Sequence, residues 1–123
     1  HQESPMDHEI AMQNVNGSRS LLVELMQAFL QECPELLQAI GEAAEVGDAP
    51  RLHHAAHTLR GAMQTLGVTH AARLAEQLEC AGRNGAMEEA RGLLSGFQQE
   101  SSRLVAYLED YIRRTPAPSS KQE

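Results

Sequence analysis

Residues 21–44, LLVELMQAFLQECPELLQAIGEAA, decide the fold class. Within them Leu22, Met26, Phe29, Cys33, Leu36, Ile40 and Ala43 recur at alternating steps of four and three. That period is the turn of an α-helix, and it lays one apolar stripe along one face. Pro34 falls inside the stretch. Proline lacks a backbone N–H and clashes with the preceding turn, so it either starts a new helix or kinks a continuous one. A break would reset the phase of the stripe. The phase is kept across Pro34, so a kinked continuous helix is preferred, ending at Gly47-Asp48.

The same period continues downstream. Asp48 is placed to cap a next helix, with Pro50 tolerated in its first turn. Leu52, Ala56, Leu59, Met63 and Leu66 form its stripe, and Gly67 ends it. Thr69 is the expected cap of a following helix that reaches about Asn84, with Ala71, Leu74, Ala75, Leu78 and Ala81 inward. Asn84-Gly85 is a turn signal. A last helix begins near Ala86 and turns Ala90, Leu94, Phe97, Leu104, Leu108 and Tyr111 to the core. Arg113 and Arg114 suit its negative C-terminal dipole. Upstream, Asp7 opens a short helix that residues 14–17 break, and Ser18 is the next N-cap.

Short links between long amphipathic helices make neighbours antiparallel. The expected fold is all-α: an up-and-down antiparallel four-helix bundle with a short extra N-terminal helix. It should occupy residues 7–115, between a disordered segment at 1–6 and a flexible tail at 116–123.

Composition agrees. Apolar residues make up 41% of the chain, enough for a core, while aromatics are only 3%. Strand-favouring residues are correspondingly sparse. A net charge of −7 opposes nucleic-acid binding, which needs clustered positive charge. No apolar run approaches the roughly 20 residues that span a bilayer, and no signal-peptide pattern is present. Cys33 and Cys80 lie within helical patterns and are expected as buried, reduced thiols, which fits a cytoplasmic location.

Six histidines are the unusual chemical resource. Three of them, His53, His54 and His57, lie on the helix after Asp48. On a helical wheel His57 falls about 140° from the core stripe, with His53, Arg60, Gly61 and Gln64 on the same side. Arg60 and Gly61 are its neighbours at spacings of three and four. A neutral imidazole nitrogen is a nucleophile that can take a phosphoryl group. It needs an open approach, and Gly61 provides one at a helix cost of roughly 1 kcal/mol relative to Ala. Arg60 offers positive charge and donors to phosphate oxygens, and Gln64 can add a hydrogen bond. Two plainer explanations stand beside this one: Gly61 could permit close helix packing, and Arg60 could be an ordinary solvated charge.

The stretch His57-Thr58-Leu59-Arg60-Gly61-Ala62-Met63-Gln64-Thr65-Leu66-Gly67 resembles the signature of the histidine-phosphotransfer (HPt) family. The pattern is His, any residue, an aliphatic, Lys or Arg, Gly, two small residues, then an aliphatic-Gly pair. Leu74, Leu78 and Glu79 resemble the family's following helix. Phe29-Leu30, Pro34 and Gly47-Asp48 resemble its approach to the histidine. Met63 departs from the small residue often found at its position, but it lies on the core stripe. The likeness spans roughly residues 7–112.

The resemblance implies that His57 is the phosphoacceptor, with Arg60 near the phosphate and Gly61 clearing space. It implies reversible transfer with an aspartate of response-regulator receiver domains, possible attachment to a hybrid sensor kinase, and His53, His57, Arg60, Gly61 and Gln64 as the partner-binding face. The chain has neither the paired carboxylates that hold a metal nor a Gly-rich phosphate loop. It should carry no cofactor and no kinase activity, the Mg²⁺ being expected on the receiver. One stripe per helix suffices for one bundle, so a monomer is expected. Two alternative functions fit a helical bundle that bears histidines. A metal-binding bundle would use the His53/His57 spacing, but Glu76, Glu79 and His70 lie on other segments. A non-catalytic adaptor is the second.

Overall fold

The computed structural model describes residues 4–115. They form α1 (His8–Asn14), α2 (Arg19–Val46), α3 (Ala49–Thr65), α4 (His70–Asn84) and α5 (Met87–Arg114), with no strand among them. Side chains start the first three helices as the sequence predicts. Asp7 accepts from the N–H groups of Glu9 and Ile10, Ser18 from that of Leu21, and Asp48 from that of Arg51. Each bond satisfies donors that a helix start leaves unpaired. Gly47 (φ 79°) and Gly85 (φ 68°) end α2 and α4 in the left-handed conformation that glycine adopts without strain.

Thr69 is a correction. It occupies the cap position of α4, but its backbone is helical (φ −106°, ψ −51°) and its side chain caps nothing. A capping hydroxyl reaches the first-turn N–H groups only from extended backbone. Pro34 is settled in favour of one helix: α2 runs unbroken from Arg19 to Val46 through it.

The helices close a ring. α2 packs on α3, α3 on α4, α4 on α5, and α5 back on α2. Arg91 on α5 donates to the Ala44 carbonyl of α2, and Gln98 lies near Gly41, so these helices run antiparallel. Hydrogen bonds of His53 and His57 on α3 to Glu79 on α4 tie that pair together. α1 lies across one end: Asp7 N–H donates to the Gly67 carbonyl, Asn14 donates to the Thr65 carbonyl, and His8 hydrogen-bonds the Tyr107 hydroxyl.

One contiguous core results. Of the predicted stripes, Leu36, Leu74, Leu94 and Tyr111 are only half-buried, because they sit at the flanks of their faces. Ser101 fills the α5 stripe between Phe97 and Leu104. Pro5 and Met6 are buried, Met6 within the core, so the segment expected to be disordered at 1–6 is anchored at these two residues. Residues 1–3 and the expected tail at 116–123 lie outside the described residues. Cys33 is buried and Cys80 half-buried, and both are free thiols. Cys80 thus departs from the expectation of two buried thiols.

Candidate functional site

α3 places His57 in its middle with the side chain 58% exposed. His53 is half-buried one turn earlier, and Gly61 and Gln64 are exposed one and two turns later. His54 is exposed further round. A Cβ built on Gly61 would meet nothing within 4 Å. Close helix packing therefore does not explain this glycine, and its bare backbone leaves open space beside His57.

The histidine does not stand alone. Glu79 comes from α4, and its side chain is only 5% exposed. One carboxylate oxygen, Oε2, lies 2.9 Å from His57 Nδ1, and the other, Oε1, accepts from Arg60 Nε at 2.7 Å. Arg83 Nη2 stands 3.6 Å from Oε2. Burial by itself pushes the Glu79 carboxyl up. Hydrogen bonds and charge from Arg60 and His57 outweigh this and hold it below the usual carboxylate range. Glu79 in turn holds the Arg60 guanidinium above its ordinary value.

This arrangement selects a tautomer. His57 Nδ1 also lies 3.1 Å from Arg60 Nη2, and it cannot accept from Arg60 while donating to Glu79. An ionised carboxylate only accepts, and a buried one must have donors. Nδ1 therefore carries the proton and donates to Glu79, and the Arg60 approach is the meeting of two donors on one acceptor. Nε2 keeps its lone pair and has no hydrogen-bond partner among the described residues. In that tautomer an exposed imidazole is a nucleophile at Nε2.

Arg60 is held more tightly than the sequence implies. Its side chain is 22% exposed, with Nε on Glu79 and Nη1 3.4 Å from Gln64 Oε1. Its outer N–H groups remain for an incoming anion, but its charge is already shared with Glu79. Gln64 is turned toward Arg60 through its oxygen. Beside Gln64 opens a shallow depression of about 230 Å³, lined by Val68, Thr69, Ala72, Arg73 and Glu76.

Reading the residues by spacing missed the role of Glu79. A signal was present. Glu79 lies on the apolar face of α4 with Ala71, Ala72, Ala75, Leu78 and Gly82. A carboxylate on a core stripe demands a partner. The identity of that partner is not contained in α4. Among the described residues, no three His, Cys, Asp or Glu side chains form a group that could hold a metal.

Comparison with known proteins identifies the family and the fold. The Hpt domain model matches residues 24–115. The chain superposes with a TM-score of 0.83 on histidine-containing phosphotransfer protein B (HptB) of Pseudomonas aeruginosa PAO1, at 21% identity, covering 93% of this chain and 99% of that one. It superposes equally well, at 0.83 and 19% identity, on the HPT domain of a sensor hybrid histidine kinase from Shewanella, covering 92% and 97%. No curated protein sequence matches. A four-helix bundle of this topology, matched along most of its length by the Hpt domain model, defines the class of protein. The chain belongs to the Hpt domain family, and it is a histidine-phosphotransfer module of phosphorelay signalling.

Proposed function

We propose that His57 is the residue that carries the phosphoryl group, and that its Nε2 is the attacking atom. The observation that supports this best is the Nδ1–Glu79 bond, which leaves the Nε2 lone pair directed away from its one buried partner. The Nε2 pair attacks the phosphorus of an aspartyl phosphate on a receiver domain. An N–P bond forms as the P–O bond to the aspartyl carboxylate breaks, and the carboxylate leaves with the electron pair. No proton need move, because Nε2 carries none. The ring becomes cationic with Nδ1–H retained, and the Glu79 carboxylate stabilises that cation. The reverse step regenerates the neutral ring.

Arg60 stabilises phosphoryl oxygens through its outer N–H groups, and Gln64 helps to hold Arg60. Gly61 keeps the approach open. The face formed by His53, His57, Arg60, Gly61 and Gln64 docks the receiver, which supplies the Mg²⁺. The chain acts as a monomer in the cytoplasm, free or as part of a hybrid sensor kinase. No described helix is long and apolar enough to cross a membrane.

The test is transfer from phosphorylated receiver domains. Wild-type protein should gain acid-labile, base-stable phosphate, and His57→Gln should gain none. Equal labelling of His57→Gln would remove His57 from this role.

A further inference from the structure

α4 carries one glycine, Gly82, whose surroundings are the opposite of those at Gly61. A Cβ on Gly82 would lie 2.7 Å from the backbone N of His53, and 3.0 Å from both His53 Cα and the Ala49 carbonyl oxygen. These are backbone atoms of α3, which cannot swing aside. Gly82 therefore lets α3 and α4 approach more closely than any other residue would permit. It does so one turn from Glu79, at an interior-helix cost of roughly 1 kcal/mol relative to Ala. At the same contact His53 Nδ1 lies 3.2 Å from the backbone carbonyl oxygen of Glu79. A carbonyl only accepts, so His53 donates to it. The His53 and His57 rings lie near-parallel, 19° apart in plane and with centroids 6.3 Å apart.

We infer that Gly82 and His53 are positioning residues for phosphoryl transfer, setting the separation and register at which α4 delivers the Glu79 carboxylate to His57. Three contacts along the seam of the two helices act together. Gly82 sets how closely they approach. The His53 side chain fixes α4 at the backbone of residue 79. The Glu79 side chain, thus placed, reaches back to His57 Nδ1. Hydrogen bonds weaken steeply as they lengthen or bend, so a displacement of a few tenths of an ångström at Gly82 is felt at Nδ1. This inference rests on His57 Nε2 as the attacking atom, and it gives His53 a role on its own helix seam besides any contact with a partner.

The test uses the whole chain and four variants: Gly82→Ala, His53→Ala, His53→Asn and His53→Phe. Asparagine keeps an N–H donor near the position of Nδ1, whereas phenylalanine keeps a ring without a donor. The first readout is the ¹⁵N shift pair of the His57 imidazole in unphosphorylated protein, which reports the Nδ1–H tautomer. The second is the rate of transfer from a receiver and from phosphoramidate. Gly82→Ala and His53→Ala should lower the Nδ1–H population and slow transfer from both donors by about 10- to 100-fold, the scale of small misplacements in a reacting pair. His53→Asn should restore both readouts, and His53→Phe should not.

An unchanged tautomer and rate in folded Gly82→Ala and His53→Ala would overturn the inference. So would His53 variants that slow transfer from the receiver alone, because that pattern marks a partner contact. If Gly82→Ala does not fold, the His53 set decides by the same criteria. A wild type that takes no phosphate would count against the proposed function, while the tautomer readout would still decide the positioning.

Discussion

At the scale of single residues, the site depends on one buried carboxylate that serves three cationic or donor groups. Glu79→Gln retains an acceptor for Nδ1–H but loses the charge. The difference between a charged and a neutral hydrogen bond is on the order of 1.4 kcal/mol, so transfer should slow about tenfold. Phosphorylation kinetics against pH are the check, since a purely structural role would lower stability without changing the profile. Glu79 also makes a stability prediction of defined sign. Its carboxyl is held lower in the folded protein than in the unfolded chain, so the stabilisation is fully present above the ordinary Glu range of about 4.3. It is lost as pH falls through the lower folded value. Urea midpoints measured downward from neutral pH should fall in the wild type over that acid window, and less so in Glu79→Gln.

Gly61 offers the complementary case. A side chain there meets open space, so Gly61→Leu should fold, with a thermal midpoint equal to or above that of the wild type. It should nevertheless slow transfer sharply by covering the approach to Nε2. Unchanged transfer in a folded Gly61→Leu would remove the steric role. Two glycines of similar sequence appearance thus have opposite surroundings, open space at Gly61 and the backbone of α3 at Gly82.

At the scale of the elements, α2 contains the plainest local cost. Pro34 is exposed and interior to a helix of 28 residues. It cannot donate to the carbonyl of Leu30, and its ring crowds that turn. Pro34→Ala should raise stability by about 1–3 kcal/mol, the interior proline penalty less the entropy that proline removes from the unfolded chain. Chemical denaturation with an unchanged m-value is the measurement; a destabilised variant would mean that the proline ring itself serves the packing of α2. The caps divide by type. Asp7, Ser18 and Asp48 use side chains, whereas α5 begins at Ala86 with no side-chain cap and relies on Glu88 and Glu89 in its first turn against the helix dipole.

For the whole molecule, the closed ring of helices sorts its two thiols. Burial pushes the Cys33 thiol up to about 11, while Cys80 is half-buried at the edge of α4 near Arg83. The thiolate is the reactive form. With a thiol reagent at pH 8, native protein should therefore modify at Cys80 alone, and Cys33 should react only at the rate of global unfolding. Fast reaction of both thiols in the native state would contradict this packing.

The amino-acid sequence by itself determined the helices, their inward faces and most of their ends, because a 3.6-residue period and a capping side chain act over a turn or two of chain. It also determined that His57 faces outward beside Gly61 and Arg60, since all three lie on one helix. It could not determine which nitrogen of His57 keeps its lone pair. That depends on Glu79, 22 residues away on another helix, and on the rotation and separation of α3 and α4, which the entire core sets. The same reason explains Gly82, Thr69 and Met6. A glycine needed for helix approach, a threonine whose backbone turns helical, and a methionine drawn into the core beyond its helix are each decided by a neighbour distant in sequence. Tertiary structure thus turned an exposed histidine into an oriented one.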